Sequence, residues 1–254
     1  PLKLIRYALA GWIPGGRRHC VICDHEVWRF MPYRTGSRGA PLLMRAMEMV
    51  GSDPDHFECP RCGAHDRERH LFLYLRATGV LAAMADKSVM HFAPEKRLSG
   101  LIRSARPARY LPCDLFPHDP EVQRVDMLDM QFESGSFDVV IANHVLEHVD
   151  DDARALVEIH RVLKPDGVAI LQTPYSRKLH RTWCDPGIDT PQARLQAYGQ
   201  EDHVRLFGRD IFERVVAAGF ESCVRQHADL LESINAATVG VNPAEPFFLF
   251  RKTT

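Results

Sequence analysis

Phe137-Asp138-Val139-Val140-Ile141-Ala142-Asn143-His144-Val145-Leu146-Glu147-His148-Val149, followed by Glu158-Ile159-His160-Arg161-Val162-Leu163-Lys164-Pro165-Asp166-Gly167, is the most informative part of the chain. Its first six residues are nearly all apolar, as a strand covered on both faces should be. Asp150 or Asp151 stands where it can cap the next helix, whose Leu156, Ile159 and Leu163 share one face. That helix stops at Lys164-Pro165-Asp166-Gly167, a proline followed by an Asp-Gly turn, and Val168–Leu171 reads as a second buried strand.

The same alternation runs outward in both directions. Upstream, Ser88–Ala93 is a short apolar run, Lys96–Ser104 a helix, Ala108–Cys113 a second run and Val122–Val125 a weaker third. Downstream, Arg209–Ala218 is a helix closed by Gly219, before strands near Glu221–Gln226 and Phe247–Arg251. Strands alternating with helices predict an α/β fold with helices on both faces of a mostly parallel sheet. Ligands in such folds sit beyond the carboxyl ends of the strands, where strand order reverses. The stretch 174–207 interrupts the pattern and reads as a lid over that edge.

The quoted block, with Ser134-Gly135-Ser136 leading into it, closely resembles the central segment of class I S-adenosylmethionine-dependent methyltransferases of the type 11-like kind. At lower specificity the resemblance covers residues 88–252. It implies a Rossmann-like fold with a seven-stranded sheet, its final strand reversed, and S-adenosylmethionine as cofactor across the ends of the first four strands. Asp114, with Leu115 beside it, matches the acid that binds the ribose. Asp126 matches the acid that meets the adenine amino group, with Met127 against the ring, and Asn143 and His144 lie where the family's chain runs under the reactive methyl. The chemistry of the ligand agrees, because ribose hydroxyls, an exocyclic amine and an ammonium all want oxygen acceptors. Taken singly, either aspartate reads more simply as a turn or helix cap; their joint placement at successive strand ends favours the binding role.

One departure from the family pattern stands at the first strand. Where a glycine-rich turn is expected, the chain reads His91-Phe92-Ala93-Pro94-Glu95. Glycine lets backbone approach the cofactor closely, so Ala93 and Pro94 must do so with less freedom, and Glu95 is placed to hold the ammonium of the cofactor's tail. Similar proteins in the larger family pair cysteine knuckles with a turn of this kind.

Those knuckles are Cys20-Val-Ile-Cys23 and Cys59-Pro-Arg-Cys62-Gly63, four of the seven cysteines. Cysteines two residues apart aim both sulfurs at one point, and two such pairs suit a closed tetrahedral site for a structural Zn²⁺; two local disulfides or unrelated reduced thiols are the other readings. A closed site leaves no open position for chemistry, so the expected role is folding or docking. The 35 residues between the knuckles are more than a ribbon needs and imply an insertion such as Pro41–Val50. His19, His25 and His65 flank the knuckles as substitute ligands, while Cys113, Cys184 and Cys223 lack ligand spacing.

These signals divide the chain into a zinc-binding module with a basic N-terminal segment (1–66), a linking helix (67–87) and a methyltransferase domain (88–254). The opening stretch 2–12 is mildly amphipathic and is expected to pack on its own module. No apolar run is long enough to cross a bilayer and no secretory leader is evident, which reads as cytoplasmic. The net charge of −1 gives no whole-chain footprint for nucleic acid.

The sulfonium already activates the methyl, so the protein chiefly aligns an acceptor atom and excludes water. Where that atom is a hydroxyl oxygen, a histidine near neutrality can take its proton, and His144, His180 and His203 are the candidates. A methyltransferase acting on an oxygen, less readily a nitrogen, of a small molecule or glycan is the favoured reading. The alternatives are an RNA methyltransferase guided by the zinc module, and a binding module without activity.

Overall fold

The computed structural model of the chain describes residues 2–253. Its N-terminal part comprises helix α1 (Leu2–Trp12), hairpin strands β1 (Arg18–Cys20) and β2 (His25–Val27), helix α2 (Leu42–Ala46) and the short strand β3 (Met49–Val50). Helix α3 (Asp66–Ala77) and the single turn α4 (Val80–Ala83) follow. The remainder runs β4 (Ser88–Phe92), α5 (Lys96–Ser104), β5 (Arg109–Asp114), β6 (Gln123–Arg124), β7 (Phe137–Ala142), α6 (Asp152–Val162) and β8 (Leu163–Ile170). It ends with β9 (Tyr175–Ser176), α7 (Pro191–Tyr198), α8 (Ile211–Ala217), β10 (Phe220–Ser222), α9 (His227–Leu231), α10 (Ala236–Val239) and β11 (Leu249–Lys252).

Seven strands form one sheet in the order β10-β11-β8-β7-β4-β5-β6. The five strands from β6 to β8 in that row are parallel, and β11 lies antiparallel between β8 and β10. This is the seven-stranded, mostly parallel class I arrangement, with its reversed last strand. Strand order turns back between β4 and β7, so their carboxyl ends mark the switch point where ligands bind in open α/β sheets.

Alternation along β7 explains the two layers. Val140 and Ala142 join Leu156, Ile159 and Val215 of α6 and α8 in one core, while Val139 and Ile141 join Leu71, Leu75, Leu98 and Ile102 of α3 and α5 in the other. The Asp151 side chain caps α6 by accepting from Arg154 N at 3.0 Å.

Two expectations about the linking segments change in form. Residues 66–77 are not a bare connector. From Glu68 to Leu75 every side chain of α3 is buried, and the helix is a full member of the layer covering the sheet. Arg69 shows why. Its fully buried guanidinium donates to the carbonyls of Ala64 (2.8 Å), Phe57 (3.2 Å) and His56 on one side, and Val239 (2.9 Å) and Gly240 (2.7 Å) on the other. One side chain thus stitches the cysteine-bearing segment to the end of α10. The stretch 174–207 is likewise docked. β9 pairs antiparallel with β3, and Tyr198, Ala197 and Leu206 pack with Met44 from α2. The insertion between the knuckles and the interruption after the fifth strand are therefore two halves of one substructure.

Helix α1 packs on its own module, as expected, but only in part. Ala10 is buried and Tyr7 donates to Glu58 Oε2 at 2.8 Å, yet Leu4 and Trp12 remain 76% and 65% exposed. The helix touches its module along a narrow strip and leaves most of its apolar face in solvent. Among the described residues, no helix is long and apolar enough to cross a membrane.

Candidate functional site

The first strand of the sheet core ends in a turn built without glycine. Ala93 has φ 44°, the left-handed geometry that a glycine would adopt at no cost, so the backbone takes the required bend and keeps the strain. Ala93 N donates to Cys113 O at 2.8 Å, which locks the turn to the end of β5. Beyond β5, Asp114 is half-buried and its Oδ1 accepts from Phe116 N at 2.8 Å; beyond β6, exposed Asp126 accepts from Leu128 N at 2.8 Å. Each carboxylate closes an Asx turn with one oxygen and has its second oxygen without an internal partner among the described residues. Asp114 pairs in register with Arg124, two residues before Asp126, so both acids lie at one sheet edge. Leu115 is exposed beside Asp114, and Met127 is buried under the edge.

At the switch point the buried residues form a connected network. Glu95 accepts from Asn143 Nδ2 at 2.6 Å and lies 3.2 Å from His91 Nε2, and Arg67 Nε stands 3.7 Å from its Oε1. Burial pushes the Glu95 carboxyl up, but the bond and charge of His91 and the charge of Arg67 outweigh it, and the group stays ionised. His91 is held in turn at 2.9 Å by Tyr110 OH. Phe92 is buried in the sheet core and Pro94 is half-buried. The Oδ1 of Asn143 and the Nε of Arg67 are buried without hydrogen-bond partners among the described residues. An orphan acceptor and an orphan donor side by side fit the ammonium and carboxylate of an amino-acid tail. Glu95, expected to meet that ammonium, has its oxygens largely engaged, and Asn143 carries the open acceptor.

His144 also has a left-handed φ of 56° and sits between two carboxylates, with Nδ1 3.5 Å from Glu147 Oε1 and Nε2 3.4 Å from Glu245 Oε1. Burial favours the neutral ring, yet Glu147 and Glu245 together prevail and raise its pKa to about 9. Contact with His144, joined at Glu245 by His70, overcomes burial at both acids and brings each down to about 2. Two carboxylates against one ring leave the trio negative and favour the protonated form of His144 over the free base. Glu245 passes the network on to His70 Nδ1 at 3.0 Å, and His70 Nε2 meets His227 Nδ1 at 2.9 Å.

Of the other two histidines, His203 approaches Glu147 of this trio, while His180 pairs with Arg209. His203 is buried at the docked segment, its Nδ1 3.1 Å from Tyr198 O, and burial keeps its pKa below the ordinary value. His180 is exposed beside Arg209, with no hydrogen bond to the sheet edge among the described residues. Arg67, Glu245 and His70 escaped the sequence reading. The charge-dense run Asp66-Arg67-Glu68-Arg69-His70 next to a knuckle was the available signal for two of them; Glu245, in a loop before β11, carried none.

The four knuckle sulfurs converge as the spacing required. One ligand atom from each of Cys20, Cys23, Cys59 and Cys62 lies within 4.8 Å of the other three, with no disulfide among them. Gly63 at φ 77° makes the left-handed turn after the second knuckle, and Gly63 N donates to Cys59 O at 2.9 Å. His65 is not part of the group. Its ring stacks on Phe57 and it precedes α3, where its backbone N donates to Glu68 Oε2 at 2.8 Å.

Comparison with known proteins agrees with this geometry. Residues 78–171 match a family described as a methyltransferase domain. A probable S-adenosylmethionine-dependent methyltransferase of Mycolicibacterium smegmatis is 32% identical over 102 residues, 40% of this chain and 35% of that protein. The chloroplastic tocopherol O-methyltransferase of Arabidopsis thaliana is 32% identical over 83 residues, 33% of this chain and 21% of that protein. The chain therefore matches only about a third or less of the length of these relatives. A solved S-adenosylmethionine-dependent methyltransferase from Mesorhizobium loti superposes with TM-score 0.47 at 18% identity, covering 71% of this chain and all of that one. The matched segment and the strand order, rather than that superposition, make this part of the chain similar to class I S-adenosylmethionine-dependent methyltransferases, and it is knitted to a preceding four-cysteine module.

Proposed function

We propose that the protein transfers the methyl group of S-adenosylmethionine to an oxygen of a small-molecule or glycan acceptor. The observation that carries the reading is the convergence of Asp114, Asp126 and the unpartnered Asn143 Oδ1 on one sheet edge beside the strained Ala93 turn. Asp114 would hold the ribose hydroxyls, Asp126 the adenine amine, and Asn143 with Arg67 the zwitterionic tail. The net negative trio around His144 suits a neighbouring sulfonium, whose methyl needs alignment more than activation. Zn²⁺ in the four-thiolate cluster would fix the module on which α3 begins; its role is structural, because four cysteines leave no open position.

Tritium transfer from labelled S-adenosylmethionine tests the activity. Extract from cells lacking the protein should contain a fraction that gains label only when the zinc-replete protein is added. Protein that binds the cofactor but labels no fraction would contradict the catalytic reading.

A further inference from the structure

Glu147, His148 and His203 form a second cluster outside the cysteine module, with one ligand atom from each within 4.8 Å of the others. Glu147 and His148 follow the fourth core strand, and His203 arrives from the docked stretch 174–207. Three observations show that the cluster is built. His203 Nδ1 faces the carbonyl of Tyr198 at 3.1 Å, and a carbonyl only accepts, so the proton is on Nδ1 and the lone pair on Nε2. That Nε2 is buried with no partner among the described residues. His148 repeats the arrangement, its Nδ1 3.3 Å from Asp202 Oδ2, which again directs the Nε2 lone pair away from the carboxylate. Glu147 is oriented by Thr173 Oγ1, which donates to its Oε2 at 2.9 Å, and Val204 N donates to Glu147 O at 3.0 Å, pinning the residue after His203 to the same turn.

We propose that these three side chains bind a divalent transition metal ion with open coordination positions at the acceptor end of the sheet. Two imidazoles whose remote nitrogens are held by a carboxylate and a carbonyl, plus one oriented carboxylate, are the donor set of metal sites that keep positions for water or substrate. Ligand separations of up to 4.8 Å contract modestly on an ion with bonds of about 2.1 Å.

What the ion would do there rests on the methyl-transfer reading; its binding does not. An acceptor hydroxyl on the open position loses its proton to solvent more easily, as metal-bound water does. The resulting oxyanion forms the new C–O bond while the methyl–sulfur bond breaks, and S-adenosylhomocysteine leaves with the electron pair on sulfur. This gives the acceptor's proton a route off the oxygen and selects acceptors with a chelating oxygen.

The test uses the full chain with its cysteine cluster already filled by zinc. Calorimetric titration with Co²⁺ should show one further equivalent, with the weak visible bands of nitrogen and oxygen ligation rather than thiolate charge transfer. His203→Ala and Glu147→Gln should each weaken that binding by more than about tenfold. His148→Ala, at a half-exposed ring, should do the same while S-adenosylhomocysteine still binds, which separates ligand loss from misfolding. No second equivalent in wild-type protein, or unchanged Co²⁺ affinity in His148→Ala, would overturn the site. Co²⁺ uptake without S-adenosylhomocysteine binding would instead leave the site standing and remove the methyl-transfer reading.

Discussion

The Asp114 carboxylate accepts a single hydrogen bond among the described residues, from Phe116 N, so the side chain contributes little to folding. Asp114→Ala is expected to raise the dissociation constant for S-adenosylhomocysteine by about tenfold or more, as equilibrium dialysis would show, while stability to urea falls by no more than about 1 kcal/mol. Unchanged affinity would remove the ribose role. The acids at the strand ends were legible because a strand's end and its next acidic residue are local facts of sequence. Arg67 and Glu245 were not, because their meaning is fixed by contacts between distant segments: Glu245 meets His70 across 175 positions. The missing glycine was legible as a departure, but only the backbone angle of Ala93 shows that the turn keeps its left-handed bend without it.

Among the elements, α3 is the clearest case of packing overriding appearance. Its polar first turn reads as an exposed connector, yet Asp66 and Glu68 are buried, and burial raises their pKa values to about 6 and about 7. A carboxyl raised in the folded state binds its proton more tightly there than when unfolded. The folded state is therefore favoured at low pH and loses stability as pH climbs from about 4.5 through 7. Glu68→Gln abolishes one such titration and keeps an acceptor for His65 N. Relative to wild type, this variant is expected to gain up to about 3 kcal/mol between pH 5 and pH 8, measured by urea unfolding at both values. A constant difference would show that Glu68 titrates normally. The docked stretch makes a second element-scale prediction. Asp152 is buried, receives Arg214 Nε and Nη2 at 2.7 and 2.8 Å, and is paired with buried Arg205. Asp152→Ala would leave Arg205 without its counter-charge and is expected to cost about 3–5 kcal/mol in denaturant unfolding. The alternation of strands and helices was readable because periodicity is local. The pairing of β3 with β9 was not, since two-residue strands carry no pattern of their own.

At the scale of the whole molecule, the thiolate cluster and the cofactor edge are joined by one helix. Cys62 lies four residues before α3, whose Arg67 reaches the Glu95–Asn143 network and whose Arg69 ties five backbone carbonyls from two segments. Zinc removal by a chelator is therefore expected to lower the melting temperature of the entire chain in one transition and to weaken S-adenosylhomocysteine binding with it. Two separate transitions, with cofactor affinity untouched, would show that the module is independent. The sequence suggests a module followed by a domain, and the buried contacts of α3 pack those two parts against each other.

Methyl transfer by this chain requires an adenosyl cofactor lodged at the edge where β4, β5, β6 and β7 end. Calorimetric titration of the zinc-replete chain with S-adenosylhomocysteine addresses this directly. One saturable site per chain, lost or strongly weakened in Asp114→Ala and Asn143→Ala, is the predicted result. Absence of both binding heat and any thermal shift in the wild-type protein would contradict it.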